Sequence, residues 1–66
     1  MPYDTYFFWV YRDAQGYWRW TFYAPNEKKI ANSGEGYHNR ADCEHGIALL
    51  KQHGPNAPIR YPATAR

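Results

Sequence analysis

The sequence predicts an α+β protein, a two-layer β-β-β-α-β unit with an antiparallel sheet and one helix on one face. Three observations carry this. Tyr17-Trp18-Arg19-Trp20-Thr21-Phe22-Tyr23 places Trp18, Trp20 and Phe22 on one side of a strand and Tyr17, Arg19, Thr21 and Tyr23 on the other. A second aromatic, β-branched run, Thr5-Tyr6-Phe7-Phe8-Trp9-Val10-Tyr11, precedes it across a turn. Cys43, Gly46, Ile47 and Leu50 then recur at i, i+3, i+4 and i+7, one apolar stripe of a helix.

Burying the three aromatics of the central strand contributes about 2–3 kcal/mol each, the largest driving force in the chain. The turn at Arg12-Asp13-Ala14-Gln15-Gly16 joins the first two strands, with Asp13 opening it and Gly16 supplying positive φ. The expected pairs are Tyr11 with Tyr17, Val10 with Trp18 and Phe8 with Trp20. A one-residue slip would scatter the apolar face, so the grouping is well specified.

Pro25-Asn26-Glu27-Lys28 reads as the second turn and Lys29-Ile30-Ala31-Asn32-Ser33 as a weaker third strand, with Ile30 facing Phe22. Gly34-Glu35-Gly36-Tyr37 is expected to break the sheet and cross over. Asn39 is the N-cap of the helix and Asp42 sits at its positive end. Gly46 costs about 1 kcal/mol against alanine and is expected to let the helix settle low over a tryptophan. Gly54 and Pro55 end the helix. Ile59 and Tyr61, two apart between prolines, are expected to form a short edge strand. The predicted core is Phe8, Val10, Trp18, Trp20, Phe22, Ile30, Cys43, Ile47 and Leu50.

The chain has 66 residues, which is read as one domain over residues 1–66. Its ordered part is placed at about residues 5–61, between flexible ends at 1–4 and 63–66. A chain of this size buries only about 60% of its unfolded surface, so a lone core is marginal. One cysteine allows no internal disulfide, and metal-type clustering is absent from the sequence. Self-association is the remaining device, and a homodimer is expected. The net charge of +2 is too weak to imply nucleic acid by itself. With no membrane-length apolar run, no signal-peptide pattern and one unpaired cysteine, the expected compartment is a reducing cytoplasm.

Five spaced motifs carry a family resemblance. They are Tyr11-Arg12-Asp13; Gly16 with Trp18-Arg19-Trp20; Ser33-Gly34-Glu35-Gly36-Tyr37; Cys43-Glu44-His45-Gly46-Ile47; and Ala57-Pro58. Together they resemble the YegP-like family, a bacterial and archaeal domain of unknown function, over roughly residues 6–60. The resemblance implies that two β-β-β-α-β units share one sheet and exchange their last strands. A single-unit chain would then be a strand-swapped homodimer. The family has no established reaction, so no catalytic residue, cofactor or metal ligand is carried over. The sequence departs from the family pattern at Glu27, where Asn-Gly is common in the turn, and at Trp9, Tyr17 and Tyr23, which replace polar types.

Those departures load the second sheet face. Phe7, Trp9, Tyr11, Tyr17, Arg19 and Tyr23 form the candidate binding surface, with Trp9 expected opposite Arg19 in cation–π contact. Three readings fit such a face. It could stiffen the sheet through cross-strand pairs, dock a protein or peptide, or stack single-stranded bases. The expected role is a non-catalytic protein-interaction or structural module, with nucleic-acid binding the alternative. Elsewhere the bland readings prevail. Gly34-Glu35-Gly36 is a lone G-x-G with Glu35 and Asp42 nearby to repel phosphate. Cys43 lies on the buried stripe. His38, His45 and His53 lack the spacing of a metal pair.

Overall fold

A computed structural model of the chain describes residues 4–63. The flexible ends expected at 1–4 and 63–66 therefore fall, except for Asp4 and Ala63, outside the described residues. The elements are β1 (Phe7–Arg12), β2 (Trp18–Tyr23), β3 (Lys29–Asn32) and α1 (Arg40–His53), followed by one 3-10 turn at Gly54–Asn56. The strands form an antiparallel sheet in the order β1-β2-β3, so the aromatic strand β2 is central.

The first hairpin turns one residue later than the sequence reading placed it. Arg12 pairs with Trp18, Val10 with Trp20 and Phe8 with Phe22, a shift of two residues from the expected pairs. The cause is Asp13. Its backbone N–H donates to the Tyr17 carbonyl at 2.8 Å, and its carboxylate accepts from the N–H groups of Gln15 and Tyr17 at 2.9 and 3.0 Å. The loop thus closes at Asp13, with Gly16 in the left-handed region at φ +89°. An even shift leaves the two faces unchanged. Phe8 packs against Trp20 edge-on at 5.5 Å and against Phe22 at 4.7 Å, both on the helix side.

The second turn repeats this design with a different residue at its corner. Ala24 donates to the Lys28 carbonyl at 2.9 Å, Glu27 donates to the Ala24 carbonyl at 2.8 Å, and Glu27 takes the left-handed backbone at φ 69°. In β3, Phe22 pairs with Ala31 and Tyr23 with Lys29, which makes Ile30 the extra residue of a bulge. Ile30 is accordingly 53% exposed and is not the core partner of Phe22 that the sequence implied.

The crossover does not simply leave the sheet. Ser33 donates its N–H to the Trp20 carbonyl at 2.9 Å, and its Oγ accepts from the Trp20 N–H at 3.2 Å. After the Gly34-Glu35-Gly36 excursion, Tyr37 returns to the edge of β2 and exchanges two backbone hydrogen bonds with Trp18, at 2.8 and 2.9 Å. Gly36 lies so close to the sheet that a Cβ there would sit 2.7 Å from Tyr17 Cβ.

Helix α1 starts as expected, with the Asn39 side chain accepting from the Asp42 N–H at 2.9 Å. Cys43 is fully buried beneath it. Gly46 does allow a close approach, but over Tyr37 rather than a tryptophan: a Cβ would meet the Tyr37 hydroxyl at 2.7 Å. At the other end the helix stands away from the sheet. Leu49 and Leu50 are exposed, so Leu50 is not core within this chain, and among the described apolar residues only Trp20 and Cys43 are buried. Gly54 is the C-cap but has right-handed helical angles, so the chain makes one further 3-10 turn through Pro55. The edge strand expected at Ile59 and Tyr61 does not form: among the described residues this segment pairs with no strand. Both side chains are exposed, at 80% and 78%.

The glycines of the crossover give a direct check. Gly36→Ala drives a Cβ into the side chain of Tyr17, 2.7 Å from its Cβ and 2.9 Å from its Cγ, and is expected to cost about 1–3 kcal/mol, read as a fall in the urea midpoint. Gly34→Ala meets nothing within 4 Å and is expected to leave that midpoint in place.

Candidate functional site

Strand alternation puts Phe7, Trp9 and Tyr11 of β1 beside Tyr17, Arg19 and Tyr23 on the sheet face away from α1. The six residues predicted to bind therefore share a face, yet they do not form one open surface. The tight hairpin divides them.

At the hairpin end the face is occupied. Arg19 Nε donates to Asp13 Oδ2 at 2.5 Å, a charge-assisted bond that holds both side chains over the turn. Gly36 covers Tyr17 and approaches the Arg19 guanidinium, and the ring of Tyr17 meets that of His38 at 5.4 Å. The Arg19 partner in β1 is Tyr11, and Trp9 faces Thr21. The expected Trp9–Arg19 cation–π contact is thus absent, a consequence of the two-residue shift in register. A cation–π contact does form on the other face, where the Arg12 guanidinium lies 5.6 Å from the Trp18 ring.

The far end forms a cleft among the described residues. Phe7 and Tyr23 stack at 5.2 Å with their planes 22° apart. With Trp9, Glu27 and Lys29 they line a cleft of about 380 Å³. Trp9 is 53% exposed, a large apolar ring held in water by a rigid strand. The sequence reading missed Glu27 and Lys29 as members of this site. The turn residue reaches the cleft through its left-handed backbone, which the sequence did not signal, and Lys29 enters by pairing with Tyr23.

A second concavity lies on the helix side. Phe8, Trp20, Phe22 and Ala31 of the sheet and Leu50, Lys51, Gly54 and Pro55 of the helix end line an almost wholly apolar groove of about 540 Å³. The indole N–H of Trp20, which borders it, is buried and has no hydrogen-bond partner among the described residues.

The three groups with shifted ionisation, Asp13, Arg19 and Cys43, line neither concavity. The Arg19 guanidinium, first, and the Tyr17 N–H hold the Asp13 carboxyl below the usual carboxylate range, while Asp13 pushes Arg19 up. Burial, and secondarily the charge of Glu44, pushes the Cys43 thiol up. No three His, Cys, Asp or Glu side chains among the described residues are grouped to hold a metal ion. No helix of the described residues is long and apolar enough to cross a membrane.

Two measurements follow from these shifts. Asp13 is more acidic folded than unfolded, so its contribution is present above its unfolded pKa, about 3.9, and is lost as pH falls through the lower folded value. Asp13→Asn should flatten the acid limb of urea midpoints taken between about pH 2 and 5. Cys43 should resist alkylation in the native chain at neutral pH and react at once in denaturant. Rapid native labelling would contradict its burial.

Residues 13–60 match the family described as a domain of unknown function, DUF1508. A UPF0339 protein of Neisseria meningitidis serogroup B is 39% identical over 54 residues, covering 82% of this chain and 95% of that protein. A UPF0339 protein of Mesorhizobium japonicum is 36% identical over 50 residues, covering 76% and 83%. The NMR solution structure of a protein from Haloferax volcanii has the same fold, with a TM-score of 0.82 at 30% identity, over 89% of this chain and 98% of that one. The chain therefore belongs to the DUF1508 family of unknown function, the family of the UPF0339 proteins and the one that its aromatic and glycine motifs resemble as YegP-like.

Proposed function

We propose that this chain is a non-catalytic interaction module of the reducing cytoplasm. It assembles as a homodimer by exchanging its C-terminal segment and turns its aromatic sheet face toward a protein or peptide. The observation that carries the assembly is an apolar groove beside an apolar tail that does not fill it. Phe8, Trp20, Phe22 and Leu50 line the groove, while Ile59 and Tyr61 stand 80% and 78% exposed. Burying such side chains contributes about 1.5–3 kcal/mol each. Ala57 has extended backbone angles, residues 57–62 carry no helix or strand, and Ile59 and Tyr61 lie between Pro58 and Pro62, where a strand could add to a sheet edge.

Single-stranded nucleic acid is the second reading, favoured by the half-exposed Trp9. It has little charge to draw on, because Asp13 already holds Arg19.

Light scattering behind size-exclusion chromatography tests the assembly. The expected mass at micromolar concentration is that of two chains. Ile59→Asp with Tyr61→Asp should weaken association at least about ten-fold while leaving the circular dichroism of a folded sheet and helix. A stable folded monomer of the unmodified chain would refute the proposal.

A further inference from the structure

We propose that the partner of the aromatic sheet face is the same face of a second copy of this chain, docked across a two-fold axis beside Trp9. This rests on the reading of that face as a protein-docking surface and names the protein. The exchange proposed above uses the groove on the helix side, so the two contacts draw on opposite faces of the sheet.

The charges carry the choice of occupant. Glu27 and Lys29 line the same cleft, and neither makes an ion pair among the described residues, with each other or with a third residue. A carboxylate and an ammonium together give the cleft no net sign. Glu27 repels a polyanion and Lys29 repels a cationic segment, so neither class is selected. A second copy is different. Across a two-fold axis, residue i of one copy meets residue j of the other, and j meets i. Each copy's Glu27 then faces the Lys29 of the other, and both pairs form at once. A cleft with one sign of charge would repel its own image.

The apolar surface is placed for the same contact. Phe7 and Tyr23 are stacked on each other at 5.2 Å, which commits their facing surfaces. Trp9 is the ring that projects, at 53% exposed. Thr21, opposite it in β2, is only 4% exposed, so the sheet floor beside the indole is already dry. A ring near the axis meets its own image, and paired aromatics attract in offset or edge-on geometry. The strand positions the indole before docking, so little freedom is lost on contact. One projecting ring and two charges from each copy make a small patch. The contact therefore belongs with weak interfaces of less than about 1,200 Å² and has an affinity on the order of 100 μM.

Sedimentation and NMR of the full chain test this. The mass should be that of two chains at about 10 μM and move toward four at about 1 mM, with the Trp9 indole N–H and Lys29 amide shifting over the same range. Glu27→Lys and Lys29→Glu should each weaken that step at least about ten-fold, because like charges then meet and the change enters the contact twice. The double reversal, Glu27→Lys with Lys29→Glu in one chain, should restore it to within about three-fold of the unmodified chain. Trp9→Thr, which keeps strand propensity, should remove the step. A constant mass with unmoving Trp9 signals between about 10 μM and 1 mM overturns the proposal. A double reversal as weak as the single variants overturns it as well. Saturable displacement of the Trp9 indole by oligothymidylate, strengthened by Glu27→Lys, makes the face a nucleic-acid surface and has the same consequence. The urea midpoint of Trp9→Thr separates this failure from that of the underlying reading. Constant mass with an unchanged midpoint removes the second copy alone. Constant mass with a lowered midpoint makes the face a stiffener of its own sheet and removes both. In the tail variant, Ile59→Asp with Tyr61→Asp, a single chain that doubles its mass on concentration supports the face contact without the exchange.

Discussion

The structure depends on the two-sided satisfaction of Trp20. This residue sits in the central strand, and every polar group of its backbone is committed. Its N–H and carbonyl both turn to Ser33, one to the hydroxyl and one to the N–H. Its ring packs edge-on against Phe8 and is almost wholly buried. The Ser33 pairing fixes where β3 ends and where the glycine excursion begins. That excursion returns Tyr37 to Trp18 and so sets the helix over the sheet, with Cys43 on its buried side. Removing Ser33 Oγ would leave a buried backbone donor unpaired in the middle of the sheet.

From that centre the molecule is complete on one side and open on two. The first half of α1 is anchored through Cys43, and Gly46 lets the Tyr37 hydroxyl tuck under it. The second half diverges and leaves an apolar groove whose lining would otherwise be core. A chain this short has little apolar surface to spare. The groove and the exposed Ile59 and Tyr61 are therefore two halves of one deficit, and the proposed exchange between chains meets both. The opposite face is open for a different reason. Among the described residues no element crosses it beyond Gly36, and Trp9 stays half exposed while Tyr17 and Arg19 are covered.

The sequence was a sound guide to faces and a poor one to register. Alternation fixed which side chains share a surface, and an even shift of the hairpin could not disturb that. It did disturb which residues oppose each other, and with that the expected Trp9–Arg19 contact. Ile30 misled in a related way. Its hydrophobicity marked it for the core, but the bulge between Phe22 and Tyr23 put Ala31 in its place. Bulges follow from turn closure and strand twist, which residue type signals only weakly. Leu50 fits the apolar stripe correctly, and its exposure reflects the angle at which the helix leaves the sheet.

By itself the sequence determined the order of the three strands and the helix, the two faces of the aromatic strands, the Asn39 cap and the family. These are local matters: side-chain alternation, helical periodicity, capping chemistry and spaced motifs. Only the tertiary structure decided that Asp13 holds Arg19, that Tyr37 rejoins the sheet, and that Glu27 meets Trp9 across a cleft. Those are meetings between residues distant in the chain or turned by an unusual φ. Their geometry depends on how hairpins close and where backbone donors find acceptors, which no one-dimensional pattern records.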